Sequence, residues 1–211
     1  IDQRNHGRSP HADEFSYLHL SNDLRQYIIE NELNDVIIIG HSLGGKTAMQ
    51  FSITYPELLS KLIIVDISPR FYPIHHDKII EGLKILDFST LKSRSQADTV
   101  LSEYIEEYDV RQFLLKSMYW KEKGQLDFRF NLKSISKNIS NVGEALNDEA
   151  NCSIPTLFVK GGNSNYINDD DEDLIFKHFT NAEIQTLEEA GHWLHAEKTE
   201  DFFEITIRFC L

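Results

Sequence analysis

The stretch GHSLGGKT, residues 40–47, satisfies two unrelated catalytic patterns at once. As G-x-S-x-G it is typical of a sharp turn between a strand and a helix that presents a nucleophilic serine, here Ser42. As G-x-x-x-x-G-K-[ST] it is typical of a phosphate-binding P-loop, with Lys46 and Thr47 where phosphate and magnesium are contacted. Both patterns require an apolar strand before them and a helix after them. The rest of the chain must therefore decide between the two.

Short apolar runs alternate with amphipathic stretches along the outer parts of the chain. The runs 35–40, 61–66 and 154–161 are continuous, which is typical of strands buried on both faces. A fourth strand is predicted at 182–187. The helices predicted between and after these strands are 16–33, 43–55 and 200–210. Strands that alternate with helices indicate a mostly parallel sheet with helices on both faces.

The pattern changes between Asp66 and Cys152, where no buried-strand run is present. The helices predicted in this segment are 75–86, 94–108 and 109–120. They indicate a helical insertion between two strands of the sheet. We therefore expect a core of residues 1–69 and 151–211 and a helical cap at 70–150.

Composition and charge narrow the function classes. The chain has 211 residues, of which 41% are hydrophobic and 26% charged, which is typical of one globular domain with an insertion. Its net charge of −13 argues against a nucleic-acid or anionic-membrane surface, since both need basic patches. No run approaches the ~18 apolar residues of a membrane span. The two cysteines have no metal-binding spacing and fit a reducing, cytoplasmic location.

The serine-nucleophile interpretation explains more of the chain than the P-loop does. The P-loop has some support, since the second apolar run ends in Asp66, where such proteins hold magnesium. The serine pattern requires an acid and then a histidine later in the chain. His192 lies between the last predicted strand and the closing helix, 150 residues after Ser42, where this histidine is expected. His195 is the next candidate, and it is interpreted as a residue that supports the catalytic groups from behind or as a packing residue.

Five sequence blocks carry a more specific resemblance, in order and with matching spacing. They are DQRNHGRSPH (2–11), IGHSLGGKTAM (39–49), VDISP (65–69), KGGNSNYI (160–167) and AGHWLHAEKTEDF (190–202). Together they resemble the α/β-hydrolase family, in particular its YbfF-type bacterial esterases and their ABHD11-type mitochondrial relatives. The resemblance implies an α/β-hydrolase fold with the helical cap over the site. A glycine and a lysine after the serine turn are normal in this family, so the P-loop match is interpreted as a coincidence.

The motif and the resemblance together imply acyl transfer through a serine. Ser42 is the predicted nucleophile, and His192 is the base that takes its proton and delivers it to the leaving group. The backbone N–H of Leu43, at the start of the next helix, is the predicted oxyanion donor. The expected substrate is a small-molecule carboxylic ester or acyl thioester, with no cofactor and no metal. A monomer or weak homodimer is expected.

The acid of the triad has three candidates. Most α/β-hydrolases carry an aspartate three residues after the glycine that ends the strand at 154–161, and this position is Ser164. Asp169 lies further along, in an acidic run that is also typical of the first turn of a helix. The resemblance implies instead that Asp66, after the preceding strand, is the acid and that Ser164 assists. Asp169 to Asp171 are then expected to face solvent.

Contacts to the substrate are predicted only as a set of candidates. These are His41, Phe71, Tyr72 and Trp193, with the ring of His41 expected behind the serine turn. Apolar cap residues could line an acyl pocket, although about half of them must pack the cap itself; they are Phe113, Leu114, Met118, Tyr119 and Trp120. A different class of function remains open, a ligand-binding protein that retains the triad residues on this fold without turnover.

The start of the chain carries one further expectation. The family's second oxyanion donor comes from a His-Gly loop after an earlier strand, which NHG at 5–7 does not match. A parallel sheet beginning here would also expose an open edge. We therefore expect the working protein to carry roughly 40–50 further N-terminal residues, given ordinary strand and loop lengths.

Overall fold

Helices and strands are divided between a sheet unit and an insertion unit. The computed structural model describes residues 1–73 and 77–211. Its strands are β1 (Val36–His41), β2 (Leu59–Val65), β3 (Met118–Glu122), β4 (Gln125–Phe128), β5 (Thr156–Gly161) and β6 (Ala182–Leu187). Its helices are α1 (Tyr17–Glu30), α2 (Leu43–Thr54), α3 (Asp77–Ile85), α4 (Arg94–Leu101), α5 (Tyr108–Lys116), α6 (Leu132–Lys137), α7 (Ile139–Val142), α8 (Asp170–His178), α9 (Leu194–Glu197) and α10 (Thr199–Cys210). The sheet unit comprises Tyr17–Tyr72 and Glu144–Leu211, and the insertion unit comprises Ile1–Ser16 and Pro73–Gly143.

The sheet unit is built on parallel strands in the order β1-β2-β5-β6. Successive residues of β2 enter two different apolar layers. Leu62 and Ile64 belong to a layer with residues of α2 and α8, whereas Ile63 and Val65 belong to a layer with residues of α9 and α10. This alternation follows from the two-residue period of a strand. The predicted parallel sheet with helices on both faces is confirmed.

The polar residues of interest follow the carboxyl ends of these strands. Because the strands are parallel, their carboxyl ends share one edge of the sheet, and the loops that leave this edge are neighbours. In chain order these residues are Ser42 directly after β1, Asp66 directly after β2, Ser164 in the loop after β5 and His192 in the loop after β6. The topology therefore brings together residues that are up to 150 positions apart in the chain.

β1 is more exposed than the sequence predicts. Its apolar run predicts a strand buried on both faces, yet Ile39 has 53% of its surface exposed and residues 36–38 are only partly buried. β1 lies at one edge of the described sheet, whereas β2 lies between two strands. Within the described sheet β1 pairs with β2 alone, so Ile39 is less covered than the residues of β2.

The insertion unit has a core of its own and includes the first sixteen residues. Its buried side chains include Leu101, Ile105 and Leu115. Asn5 is fully buried in this unit; its side chain donates to Ser134 Oγ at 3.1 Å, and its carbonyl accepts from the N–H of Asn131 at 2.8 Å. These bonds join the N-terminal segment to the insertion, whereas the sequence prediction grouped residues 1–69 with the core.

The insertion is not entirely helical. The helices predicted at 94–108 and 109–120 are shorter, as α4 and α5, and β3 and β4 form an antiparallel hairpin after them. Gly124 has a φ of 83° in the hairpin turn, a conformation that glycine adopts without a steric penalty. Met118 is buried in the core of the unit. The aromatic residues before Gly124 favour a strand, and helical periodicity alone concealed this signal.

The remaining helices follow their predictions closely. α3 corresponds to the helix predicted at 75–86, of which residues 75 and 76 lie outside the described residues.

The helix α1 has 14 residues and is therefore only about 21 Å long. In residues 1–73 and 77–211, no helix combines the length and the apolar character that a bilayer crossing demands.

Candidate active site

Ser42 lies in a strained turn between β1 and α2. Its φ of 53° is in the left-handed region that residues other than glycine rarely adopt. The turn is tight because Gly40 has no side chain, and a Cβ there would lie 2.4 Å from the carbonyl oxygen of Gly44. The Ser42 N–H donates to the Val65 carbonyl on β2 at 3.2 Å. This is the geometry of a turn that presents a serine at the end of a sheet.

The first turn of α2 supplies backbone N–H groups next to the serine. α2 begins at Leu43. The first four N–H groups of an α-helix have no acceptor within the helix, and this end of the helix carries partial positive charge. The N–H of Leu43 therefore stands where an anion would be stabilised, as expected for an oxyanion donor.

Asp66 is fully buried directly after β2. Its carboxylate accepts hydrogen bonds from the Gly161 N–H at 3.0 Å, from Ser164 Oγ at 2.5 Å and from His192 Nδ1 at 2.8 Å. A buried carboxylate without donors would be strongly destabilising. The donors explain why Asp66 can lie in the interior, and they hold one of its oxygens towards the histidine.

His192 is oriented by contacts on three sides. Because Nδ1–H donates to Asp66, Nε2 is the ring nitrogen that can accept a proton. The ring of Tyr166 stacks on the imidazole, with centroids 3.8 Å apart and planes inclined by 19°. The carbonyl of His192 accepts from His41 Nε2–H at 2.8 Å. With its side chain 19% exposed, the imidazole is ordered and still reachable.

Ser164 connects the carboxylate to the loop after β5. Its Oγ donates to Asp66 and accepts from the Tyr166 N–H at 3.2 Å. The Tyr166 carbonyl in turn accepts from the hydroxyl of Tyr72. Ser164 therefore contacts the acid and fixes the backbone of the tyrosine that stacks on His192, which is the geometry expected of an assisting residue.

The loops after β5 and β6 approach each other through their backbones. The Asn163 N–H donates to the Ala190 carbonyl at 2.8 Å. Gly161 permits this approach, since a Cβ on it would lie 2.4 Å from the carbonyl oxygen of Gly191. This close contact places His192 beside Asp66, although the two belong to loops after different strands.

Tyr166 is a site residue that sequence analysis did not identify. Burial raises the pKa of its hydroxyl, and the nearby charge of Asp66 raises it further. The residue lies in a loop, where no hydrophobic period indicates which side chains turn inward. Its position two residues after Ser164, inside the block KGGNSNYI, was the available signal.

Trp193 and His41 lie beside His192, and His41 faces the histidine loop. Its ring centroid is 4.5 Å from that of His192, 5.3 Å from Trp193 and 4.6 Å from His195. Burial lowers the pKa of His41 to about 4, and the adjacent His192 adds to the effect. His41 is therefore neutral at pH 7. Within the described residues, the buried Nδ1 of His195 has no hydrogen-bond partner, in keeping with a packing role.

The other residues predicted to contact the substrate differ in how far their side chains are exposed. Phe71 is 55% exposed, whereas Tyr72 is half-buried and accepts from the Ser68 N–H at 2.8 Å. In the insertion unit, Met118 is buried in the core while Trp120 is exposed. Met118 therefore packs the unit. A role for the remaining side chains in substrate binding stays a prediction.

Lys46 does not have the environment of a P-loop lysine. It is buried, and its Nζ donates to the backbone carbonyls of Pro69 at 3.1 Å, Arg70 at 2.5 Å and Glu144 at 2.9 Å. Burial lowers the pKa of its ammonium group to about 7. Thr47 is also buried and donates to the Leu43 carbonyl. Both side chains are engaged inside the protein, so neither is directed at a bound phosphate or magnesium ion.

The acidic run at 169–173 is only partly exposed. It forms the start of α8, as expected for carboxylates at a helix N-terminus, and Asp169 is exposed. Asp171, however, is 4% exposed. Its carboxylate accepts from Ser68 Oγ and forms a salt bridge to Arg70 at 3.0 Å. The prediction that Asp169 to Asp171 face solvent is therefore wrong for Asp171, because an arginine brought in by folding neutralises it.

Among residues 1–73 and 77–211, no three His, Cys, Asp or Glu side chains are grouped so that they could hold a metal ion. His192 and the buried Asp66 are joined by a hydrogen bond, and Ser42 follows a strand at the same edge of the sheet.

Comparison with protein families and curated proteins gives consistent matches. Residues 1–90 match the family model described as alpha/beta hydrolase fold. A Haemophilus influenzae protein, provisionally named an esterase/lipase, is 39% identical over 99% of this chain and 72% of its own length. The mouse sn-1-specific diacylglycerol lipase ABHD11 is 34% identical over 99% of this chain and 70% of its own. Esterase YbfF of Escherichia coli is 31% identical over 95% and 77%.

Comparison with solved structures agrees with the sequence matches. A marine microorganism esterase superposes with a TM-score of 0.94 and 44% identity, over 99% of this chain and 83% of that one. E-2-(acetamidomethylene)succinate hydrolase superposes with a TM-score of 0.75 at 17% identity, over 99% and 79%. The second likeness concerns the fold alone.

Proposed function

The chain belongs to the α/β-hydrolase family, as its sequence blocks indicate, and on this premise we propose that it is a serine esterase. The observation that carries the proposal is the hydrogen bond from His192 Nδ1 to the buried Asp66, at the sheet edge where Ser42 lies in its strained turn. A serine, a histidine with one nitrogen free and a buried carboxylate are the parts needed for acyl transfer. The relatives named as esterases support the same reaction class.

In the proposed reaction, Ser42 Oγ attacks the carbonyl carbon of the ester while His192 Nε2 accepts the serine proton. The Leu43 N–H donates to the oxyanion that forms. When the tetrahedral intermediate collapses, the C–O bond to the alcohol breaks and His192 gives its proton to the departing oxygen. Water then attacks the acyl-enzyme through the same steps and releases the carboxylic acid.

Asp66 contributes in two ways to the proposed reaction. Its hydrogen bond holds His192 in the tautomer that leaves Nε2 free. Its negative charge also stabilises the imidazolium that forms when His192 is protonated. Ser164 keeps the carboxylate in place, while Tyr166 limits the rotation of the imidazole through ring stacking.

The proposed substrates are uncharged esters of small carboxylic acids. An acyl thioester can undergo the same steps, but a coenzyme-A leaving group carries phosphates. The net charge of −13 disfavours the approach of such an anion. We therefore expect p-nitrophenyl esters to react with higher kcat/KM than acyl-CoA thioesters of the same acyl length.

A fluorophosphonate probe and steady-state kinetics test the proposal together. We expect the probe to label the chain once, at Ser42, and a panel of p-nitrophenyl esters to be hydrolysed. Ser42→Ala should abolish both, whereas the control Ser140→Ala, at an exposed serine, should change neither. Labelling of Ser42 with one burst of product and no steady turnover would favour the ligand-binding alternative. Magnesium-dependent ATP binding that is lost in Lys46→Ala would contradict the esterase assignment.

A further inference from the structure

The hydroxyl group of Tyr72 joins two loops of the sheet unit. It accepts from the N–H of Ser68 at 2.8 Å and donates to the carbonyl of Tyr166. Ser68 follows Asp66 by two residues in the segment after β2, whereas Tyr166 lies in the loop between β5 and α8. A tyrosine hydroxyl has one proton to donate, and here that proton is already used inside the protein.

The ring of Tyr72 is held by cationic neighbours. The guanidinium carbon of Arg70 lies 4.0 Å from the ring centroid, and Lys46 Nζ lies 5.1 Å from it. Positive groups this close to an aromatic face are attracted to it. Burial raises the pKa of the Tyr72 hydroxyl, so the group stays protonated at neutral pH. Tyr72 is therefore a fixed hydrogen-bond donor to the loop that contains Tyr166.

The position of Tyr166 depends on side-chain hydrogen bonds. Tyr166 belongs to no helix or strand. Its N–H donates to Ser164 Oγ at 3.2 Å, and its carbonyl accepts from Tyr72. The centroid of the Tyr166 ring lies 5.7 Å from that of Tyr72 and 3.8 Å from that of His192. A shift of the Tyr166 backbone would therefore move the ring on which the imidazole stacks.

We propose that Tyr72 is a positioning residue, whose hydroxyl holds the ring of Tyr166 against His192. The inference rests on the proposed esterase reaction, in which His192 must keep Nε2 available to Ser42. Small misplacements of a catalytic group lower the rate of the chemical step. A hydroxyl that contacted the substrate directly would instead act on KM, since it would contribute to substrate binding.

Steady-state ester hydrolysis by Tyr72→Phe, which removes the hydroxyl and retains the ring, tests the proposal. We expect kcat to fall about threefold with KM within about twofold of the parent, the scale of one hydrogen bond that acts through one stack. Tyr55→Phe is the matched control. Tyr55 is also half-buried, donates its hydroxyl to Asn22 Oδ1 and has Arg25 over its ring at 5.2 Å. It follows the end of α2 that is opposite to Ser42, and its variant should keep the parent kcat.

A double variant tests whether Tyr72 acts through Tyr166. In a Tyr166→Leu background the stacking ring is absent, so the addition of Tyr72→Phe should change kcat by less than about 1.5-fold. Losses that multiply would overturn the proposal, because Tyr72 would then act by another route. A rise in KM with unchanged kcat in Tyr72→Phe would overturn it as well and would assign the hydroxyl to the substrate.

The Hε1 proton of His192 reports the stack without any turnover. The ring current of Tyr166 shifts its NMR resonance, and His192→Gln identifies the signal in the full chain. Tyr72→Phe should move this resonance part of the way to its position in Tyr166→Leu, whereas Tyr55→Phe should not. A resonance that stays in place in Tyr72→Phe would overturn the inference. If the parent hydrolyses no ester, the proposed function fails, and this signal still decides whether Tyr72 holds the Tyr166 ring.

Discussion

Two buried carboxylates of the sheet unit, Asp66 and Asp171, resemble each other in burial and differ in their partners. Asp66 is fully buried and accepts from a histidine, a serine and a backbone N–H. Asp171 is 4% exposed and forms an ion pair with Arg70, with Ser68 Oγ and the Asn168 N–H as further donors. Both carboxylates are therefore well supplied with hydrogen bonds.

The difference lies in whether the cationic partner can lose its charge. Arginine stays protonated in proteins, so Arg70 cannot exchange a proton in a reaction, and we expect the Arg70–Asp171 pair to support structure. Histidine gains and loses a proton near neutral pH, so the Asp66–His192 pair can take part in a reaction. Burial of a carboxylate therefore does not indicate a catalytic site. The nature of its partner does.

Asp66→Asn should produce the largest effect. The amide cannot stabilise an imidazolium, and its NH₂ group opposes the required His192 tautomer. We expect kcat to fall by about 10⁴-fold, as when a triad aspartate is amidated. Steady-state ester hydrolysis measures this, with Asp169→Asn as a control at an exposed carboxylate. If Asp169→Asn is severe and Asp66→Asn nearly silent, the assignment of the acid is wrong.

Asp171→Asn should act on stability instead of catalysis. The amide leaves Arg70, whose side chain is 29% exposed, without its counter-charge. We expect a loss of about 2–3 kcal/mol in the free energy of unfolding, the scale for an unpaired, partly buried charged group. Urea denaturation measures it, and kcat at a temperature where the variant is folded should stay within about threefold. A kcat loss comparable to that of Asp66→Asn would contradict the prediction that Asp171 acts on stability and Asp66 on catalysis.

Tyr166→Leu should lower kcat by about threefold to tenfold, the value of one well-placed aromatic stack. The stack restrains His192, so kcat should fall more than KM rises. Tyr166→Phe retains the ring and should restore kcat to near the parent value. If the phenylalanine variant is as slow as the leucine variant, the hydroxyl and not the stack is responsible.

Ser164→Ala should cost about fivefold to tenfold in kcat, the equivalent of one hydrogen bond. The hydroxyl orients Asp66 but cannot replace its charge. Ser164→Thr, which keeps a hydroxyl, is the matched variant and should be closer to the parent. A loss in Ser164→Ala that approaches the loss in Asp66→Asn would mean that the serine is more than an assisting residue.

The smallest predicted effect is on the pH dependence of the free energy of unfolding, and it arises from His41. Its pKa falls from 6.5 to about 4 on folding, because burial and the adjacent His192 disfavour the charged form. The unfolded chain therefore binds a proton near pH 6.5, while the folded chain does so only near pH 4. The stability associated with neutral His41 is present above pH 6.5 and is lost as the pH falls towards 4. His41→Gln should flatten this dependence in urea denaturation between pH 4.5 and 7, whereas His11→Gln, at an exposed histidine, should not.

Much of the fold followed from local patterns. β6 has the bounds predicted from its sequence, and the other sheet strands lie within two residues of theirs. These predictions succeed because burial between layers imposes apolar runs on strands and a 3.6-residue period on helices. The β3–β4 hairpin was missed because a short amphipathic segment can satisfy both periods. The exposure of Ile39 in the described sheet depends on neighbouring strands, which a local pattern does not show.

The sequence by itself determined the kinds of groups available and where they stand along the chain. The GHSLG turn requires glycines around Ser42, and His192 follows the last strand, so both positions could be read without a structure. Local patterns left the choice among Asp66, Ser164 and Asp169 open, because it depends on which loops meet at the sheet edge, and only the family resemblance favoured Asp66. Only the tertiary structure placed Asp66 against His192, stacked Tyr166 on the imidazole and turned Asp171 onto Arg70. These are contacts between residues distant in the chain, and a local pattern carries no information about its distant partner.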